Sequence, residues 1–147
     1  MPSLIKKIPN LKLVLTGGGF SKNLPWIINK EIVPKKDLYN LIYYAKCMCV
    51  PLKFGSGTRI KIIEALSLGA IVISTKKGIE GIELKNKNPP FIVNDTKLLL
   101  RNIFKVIRNN KSLKIKSLND KSYYSKKYSM KNITTNFINN YLINNQK

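Results

Sequence analysis

The sequence contains no histidine, which removes the commonest general base and metal ligand of enzymes. A Ser-His hydrolase mechanism and a histidine-based zinc site are therefore excluded within these 147 residues. Acidic residues are also scarce: seven aspartates and glutamates stand against 27 lysines and arginines, for a formal net charge of +20. Arginine itself is rare, with three copies in the whole chain.

The basic excess has two explanations. Nucleic acid or an anionic membrane surface attracts such a chain. Nucleic-acid readers, however, rely on arginine for bidentate base contacts, and nearly all the cations here are lysines. Lysine, asparagine and isoleucine are abundant and have A/T-rich codons, so low-GC composition drift produces the same profile. We favour drift; peripheral contact with an anionic membrane stays open, and nucleic acid is the less favoured partner.

Long apolar runs are missing as well, and the sequence has two cysteines. No stretch approaches the about 18 unbroken apolar residues of a membrane span, and the N-terminus lacks the apolar core of a secretion signal. We expect a cytoplasmic protein, with the inner face of a membrane as a peripheral location. Cys47 and Cys49 flank Met48 in a short apolar segment. We interpret both as small buried hydrophobic residues of a reducing compartment.

The sequence does contain alternating strand-like and helix-like segments. Runs typical of strands occupy residues 11–19, 25–33, 47–50, 70–75 and 91–93, the first of them apolar enough for burial on both faces. Helical periodicity occupies residues 35–46, 58–68 and the region from Asp95 onward, with Asp95 or Thr96 as a cap and Gly69 as a C-terminal glycine. This order predicts an α/β fold with a parallel sheet flanked by helices.

We expect one domain over residues 1–147, with a core over 1–94 and a basic helical tail over 95–147. The tail carries twelve lysines and arginines against two aspartates. Tyrosines at 123, 124 and 128 lie among those lysines. Aromatic residues interleaved with cations favour an alternative function, a module that binds nucleic acid or an anionic membrane surface.

Three glycine-bearing loops follow predicted strands, at residues 16–20, 51–58 and 75–82. In open parallel sheets, ligands bind beyond the carboxyl ends of the strands. If the strands share one sheet, all three loops lie at the same edge. The sequence therefore predicts a ligand site built from these loops.

The loop at 51–58 is the most informative, because residues 55–58 read Gly-Ser-Gly-Thr directly before a predicted helix. A helix N-terminus presents free N–H groups and a partial positive charge, which favour phosphate. Glycines permit close backbone approach, and the two hydroxyls add donors. Arg59 and Lys61 place cations in the first turn, where they oppose the helix dipole unless an anion binds there. Surface tolerance in a lysine-rich chain also accounts for Lys61.

Glu64 lies farther along the same predicted helix, three residues after Lys61. One interpretation is an intrahelical ion pair, which contributes only about 0.2–0.5 kcal/mol. The other is that the carboxylate accepts hydrogen bonds from the vicinal hydroxyls of a ribose, as an acidic residue does in dinucleotide sites. A phosphate bound at the N-terminus of the helix and a ribose bound farther along it match the order of these two groups in a nucleotide. No Gly-Lys-Ser/Thr follows the glycines, so the loop is not a Walker motif.

The stretch PLKFGSGTRIKIIEALSLGAIVISTKKGIEGI resembles the donor-site signature of the group 1, or family four, retaining glycosyltransferases of the GT-B fold. The resemblance covers about residues 4–94 and is specific at 51–81. It implies a Rossmann-like sheet that forms one half of a GT-B fold and binds a UDP- or GDP-linked sugar. It implies no metal and no further cofactor. The tail resembles the family only as a helical ending.

Carried over by position, Glu64 resembles the second glutamate of the family's E-x7-E motif, which holds the donor ribose. The amides of Gly57 and Thr58 would face the diphosphate, and Ile32 with Val33 would lie against the base. The resemblance and the loop chemistry together give these candidate donor-binding residues: Gly17, Gly18, Val33, Gly55, Ser56, Gly57, Thr58, Arg59, Lys61 and Glu64.

Two departures from the family pattern limit the expected activity. Ser56 stands where the motif's first glutamate is expected, so the catalytic residues stay unassigned. The family's first donor-domain strand, its diphosphate-binding Arg/Lys pair and its acceptor domain have no counterpart in the sequence. We therefore expect a partial donor-binding domain that transfers no sugar until an acceptor-domain chain pairs with it.

Overall fold

The computed structural model describes residues 2–19, 23–55, 57, 59–85 and 91–137. Within these residues helices and strands follow the predicted alternation. The elements, in chain order, are α1 (Pro2–Lys7), β1 (Leu13–Thr16), β2 (Ile27–Lys30), α2 (Lys35–Tyr44), β3 (Met48–Val50), α3 (Ile60–Ser67), β4 (Val72–Ser74), β5 (Phe91–Ile92), α4 (Thr96–Arg108), α5 (Asn110–Lys127) and α6 (Met130–Phe137).

Every strand pairing is parallel, which confirms the predicted α/β class. The strands nevertheless form two sheets, one of order β1-β2 and one of order β3-β4-β5. The loops after β3 and β4 therefore share an edge, as expected, whereas the loop after β1 follows a strand of the other sheet. For residues 16–20 the common edge stays a prediction, because within the described residues β1 pairs only with β2 and no pairing joins it to β3.

The strands of the two sheets also differ in how deeply their side chains are buried. β4 is buried along its whole length, since it has a strand on each side and helices over each face. β1, in contrast, has no fully buried residue, and Val14 is 38% exposed. The expectation that the first strand is buried on both faces is therefore wrong. Neither hydrophobic core includes a residue of β1, which pairs with β2 alone among the strands that the structure describes.

The two hydrophobic cores lie on opposite faces of β4, whose alternating side chains point to opposite sides. Ile73 belongs to the first core, with residues from α1, α4, β5 and the start of α5. Val72 belongs to the second core, where α2, α3 and Tyr124 of α5 meet. The helices thus cover both faces of this sheet, as a doubly wound fold requires.

The C-terminal helices contribute to both cores. Asp95 caps α4, and its Oδ1 accepts a hydrogen bond from the Leu98 amide at 2.8 Å, which confirms the predicted cap. Ile103 and Val106 of α4 are buried in the first core. α5 packs against α3 and α4 along a face of buried residues spaced by four, three and four: Leu113, Ser117, Asp120 and Tyr124. No helix among the described residues is long and apolar enough to cross a membrane.

Gly69 ends α3 as the sequence predicted. Its φ is +71°, in the left-handed region, and the Ala70 amide after it donates to the Ala65 carbonyl at 2.9 Å. A Cβ at this position would lie 2.8 Å from Cδ2 of Leu118 in α5. Glycine is therefore required both by the backbone and by the close approach of α5.

Gly69→Ala is expected to lower the free energy of unfolding by about 1–2 kcal/mol, because alanine tolerates the left-handed region poorly and Leu118 must also shift. Urea denaturation measures the change. Gly18→Ala is the matched control, since Gly18 has an ordinary φ and a Cβ there would meet no described atom within 4 Å. A loss as large in the control as in Gly69→Ala would contradict this account.

Candidate functional site

The glycine loop before α3 has a backbone that only glycine adopts easily. Gly55 has φ +115° and Gly57 has φ +82°. A Cβ on Gly55 would lie 2.5 Å from Nη2 of Arg59, so the guanidinium rests directly against the loop backbone. The loop and the arginine therefore form one unit at the start of α3. Ser56 and Thr58, which were predicted to add hydroxyl donors, lie outside the described residues.

α3 begins at Ile60, two residues later than predicted, and Arg59 occupies the N-cap position. The Ile62 and Ile63 amides donate to the Arg59 carbonyl, which leaves the amides before them without an intrahelical acceptor. Lys61 is exposed in the first turn. Backbone donors, helix dipole and two cations thus coincide at one end of a helix, an arrangement that favours an anion.

Glu64 lies just off the buried face of α3 and is half-buried. Its Oε1 accepts a hydrogen bond from the Tyr39 hydroxyl of α2 at 3.0 Å. Lys61 and Glu64, both in the described part of the chain, form no ion pair. The carboxylate of Glu64 therefore bonds to Tyr39 and does not form the intrahelical ion pair considered from the sequence.

The predicted residues fall into two groups. Gly55, Gly57, Arg59, Lys61 and Glu64 follow the carboxyl end of β3 along one continuous segment. The second group, Gly17, Gly18 and Val33, follows the carboxyl ends of β1 and β2 in the other sheet.

A backbone hydrogen bond holds the second group together. The Gly17 amide donates to the Glu31 carbonyl at 3.0 Å and extends the pairing beyond the strands. Ile32, beside Val33, is 92% exposed. The helix that follows, α2, contains Tyr39, and the hydrogen bond from Tyr39 to Glu64 connects the two groups.

Tyr39 is a member of the site that the sequence does not reveal. The spacing over residues 35–46 predicts an amphipathic helix, and a tyrosine near its start gives no sign of its partner. Glu64 lies 25 positions later in the chain, and only the packing of α2 on α3 brings the two together. Lys35, one turn before Tyr39, has its pKa raised above 10.5 by its hydrogen bond to the Tyr39 hydroxyl and by the nearby Tyr39 and Glu64 charges.

The tyrosines of the C-terminal region take part in the fold. Tyr124 is 1% exposed, and its hydroxyl accepts a hydrogen bond from the Lys85 amide at 3.2 Å. Tyr128 likewise accepts from the Glu83 amide at 2.7 Å. These two hydroxyls hold the loop after β4 against α5.

Tyr123 joins the same cluster through the Glu83 carboxylate, to which its hydroxyl donates at 3.1 Å. Hydrogen bonds and charge from Lys127, with the hydrogen bond from Tyr123, hold the pKa of Glu83 below its ordinary 4.5. The tyrosines that favoured a nucleic-acid module are therefore bonded to the protein's own loop, and Tyr124 is not available for base stacking.

The two cysteines and the acidic side chains are the groups that could react or bind a metal ion outside this site. Cys47 and Cys49 are free and half-buried, with their sulfur atoms 4.0 Å apart on the same side of β3. A mutual hydrogen bond and burial raise the pKa of Cys47. In the described ranges, no three cysteine, aspartate or glutamate side chains are grouped in a way that could hold a metal ion.

Comparison with known sequences identifies the family. The family described as Glycosyl transferases group 1 matches residues 1–109, about three quarters of the chain. The chain belongs to the group 1 glycosyl transferases. The resemblance carried by the PLKFGSGTR segment is thereby confirmed at the level of the family, and the parallel α/β fold agrees with it.

This group 1 glycosyl transferase chain is also similar to a Klebsiella pneumoniae protein described as "Uncharacterized 44.6 kDa protein in cps region". The two sequences are 27% identical over 125 residues, which is 77% of this chain and 32% of the relative. The chain thus spans about a third of the length of the relative that it matches.

Proposed function

We propose that this chain binds a nucleotide-diphosphate-sugar and forms the donor-binding part of a glycosyltransferase. The observation that carries the proposal is the segment 55–64, where two left-handed glycines, a helix N-terminus, two cations and a half-buried carboxylate follow one another in a group 1 glycosyl transferase chain. The donor is a UDP- or GDP-linked sugar, and the acceptor is a glycan or a lipid-linked glycan.

The diphosphate would bind at the start of α3. Arg59 and Lys61 bring positive charge, and the free amides of the first turn bring aligned donors. When the glycosidic bond of the donor breaks, negative charge develops on the departing diphosphate. Fixed donors and cations at that position stabilise the charge and lower the barrier to transfer.

The nucleoside would extend from the diphosphate toward α2. Glu64 lies one turn behind the helix tip and accepts hydrogen bonds from the ribose hydroxyls. The backbone at Ile32 and Val33, directly before α2, faces the base, and the exposed Gly17 and Gly18 leave room beside it.

Sugar transfer is proposed to need an acceptor-binding surface besides this donor site. Ser56 replaces the acid that the family pattern places near the donor sugar. Phe54 is 84% exposed and Ile60 is also exposed, so an apolar surface flanks the glycine loop. We propose that an acceptor-binding domain covers this surface and completes the enzyme, and that the isolated chain binds donor without turnover.

Thermal denaturation with and without nucleotide tests the proposal. At 100 times its dissociation constant, a ligand adds about 2.7 kcal/mol of stability, so UDP or GDP should raise the melting temperature by about 5–10 °C. Because the chain carries a charge of +20, inorganic pyrophosphate at the same concentration is the control for unspecific polyanion binding. A shift with UDP or GDP that exceeds the pyrophosphate shift supports the proposal, and no excess with either nucleotide overturns it.

A further inference from the structure

The hydrogen bond between Tyr39 and Glu64 joins two helices at the centre of the proposed site. Tyr39 lies in the second turn of α2, soon after the segment proposed to face the base. Glu64 lies in α3, behind the proposed diphosphate position. Their hydroxyl and carboxylate oxygens are 3.0 Å apart, and both side chains are half-buried.

This contact restricts what the carboxylate can do. A glutamate on a helix surface has several rotamers and a free choice of partners, including the lysine three residues before it. Here Oε1 is taken by the Tyr39 hydroxyl, and Lys61 makes no ion pair with the carboxylate. The side chain is therefore held in one orientation, and its second oxygen, which bonds to no donor in the described part of the chain, can accept hydrogen bonds from another donor.

Lys35, one turn before Tyr39 on α2, lies beside the same tyrosine. Its ammonium lies 5.4 Å from the centroid of the Tyr39 ring. A cation at the ring favours one position of the phenol and adds positive charge near Glu64. The three side chains form a series from α2 to α3, and the carboxylate stands at its end.

We infer that Tyr39 is a positioning residue that orients Glu64 toward the vicinal hydroxyls of the donor's ribose, and that this contact makes the site prefer ribonucleotides to 2′-deoxyribonucleotides. The inference rests on the proposed function, because it assumes that a nucleotide diphosphate binds at α3. It adds the residue that fixes the orientation of the carboxylate.

A purely structural role for the hydrogen bond has a different consequence. If Tyr39 only ties α2 to α3, its removal lowers stability and weakens all ligands alike. If it orients Glu64, its removal weakens the ligand that carries both ribose hydroxyls more than the 2′-deoxy ligand, which keeps one of them. The ratio of two dissociation constants therefore separates the roles, whereas a melting temperature does not.

The experiment measures dissociation constants of the full chain for UDP and 2′-deoxy-UDP, or for the guanine pair if GDP is the nucleotide that binds. Tyr39→Phe removes the hydroxyl and keeps the ring. We expect its affinity for UDP to fall about tenfold, the low end of the range for one hydrogen bond to a charged group, with a smaller change for 2′-deoxy-UDP. Tyr44→Phe, on the same helix and 78% exposed, is the matched control and should change neither constant.

A double variant completes the test. In a Glu64→Gln background, Tyr39→Phe should have little further effect on the preference for UDP over 2′-deoxy-UDP, because the oriented carboxylate is already absent. Equal weakening of both ligands by Tyr39→Phe, or an unchanged preference, overturns the inference while wild-type binding keeps the proposed function. Failure of wild type to bind either ribonucleotide overturns the proposed function itself, and the inference with it.

Discussion

Glu64→Ala is expected to weaken the binding of UDP or GDP by about 10-fold to 100-fold. The reason is that the carboxylate is proposed to accept charge-assisted hydrogen bonds from the ribose, and the loss of one such bond costs about 1.5–3 kcal/mol. Ser56→Ala should weaken binding by less than about threefold, because Ser56 stands at the position that the family pattern places near the donor sugar, which UDP and GDP lack. Isothermal titration calorimetry with each variant measures both changes.

Glu80→Ala controls for the general loss of an acidic residue from a basic chain. Glu80 pairs with Lys77 on the exposed turn after β4 and belongs to neither group of site residues. Its replacement should leave nucleotide affinity unchanged. Equal effects of Glu64→Ala and Ser56→Ala would contradict the assignment of the ribose to Glu64.

Tyr124→Ala is expected to lower the free energy of unfolding by about 3–5 kcal/mol, the range for deleting a buried aromatic side chain. Tyr124 fills the second core against α3 and supports the loop at Lys85. Since domains of this kind are stable by only about 5–15 kcal/mol, the change is a large part of the total. Urea denaturation followed by circular dichroism measures it.

Two matched variants serve as controls for Tyr124→Ala. Tyr124→Phe keeps the packing and loses the hydrogen bond to the exposed Lys85 backbone, so it should cost only about 1 kcal/mol. Tyr44→Ala removes a mostly exposed tyrosine and should stay within about 0.5 kcal/mol of wild type. A Tyr124→Ala effect no larger than that of Tyr44→Ala would mean that α5 does not hold α3 in place.

The parts of this molecule that are encoded locally could be predicted from the sequence. β4 is a short β-branched run that is buried on both faces, and its pattern reads directly as a central strand. The glycine loop, its two cations and Glu64 occupy ten consecutive positions, so their order along a helix follows from helix geometry alone. The same holds for Asp95, whose capping role needs only the residues that follow it.

Contacts between distant segments could not be predicted in the same way. The partner of Tyr39 depends on how α2 packs on α3, and a single sequence carries no signal for that. The tyrosines of α5 resemble a basic aromatic surface because the lysines beside them are exposed. Whether they face solvent or the loop at Glu83 is decided by which side of α5 meets α3.

Strand neighbours are the clearest example of this limit. The sequence predicts each strand but not its partner, and β1 proves to be in a different sheet from β3. The pairings β2-β1 and β3-β4-β5 match the two sides of the doubly wound order 3-2-1-4-5-6, in which one further strand separates them. That position is where the connections change direction, and in such folds it is the place where ligands bind.

The most direct test of the central claim is calorimetric titration of the unmodified chain with UDP and with GDP. The account predicts saturable binding of one of them with a stoichiometry of one, retained when the salt concentration is raised and weakened by about 10-fold to 100-fold in Glu64→Ala. Heat that vanishes when the salt concentration is raised, or that is unchanged in Glu64→Ala, would contradict the proposal that residues 55–64 form a donor-binding site.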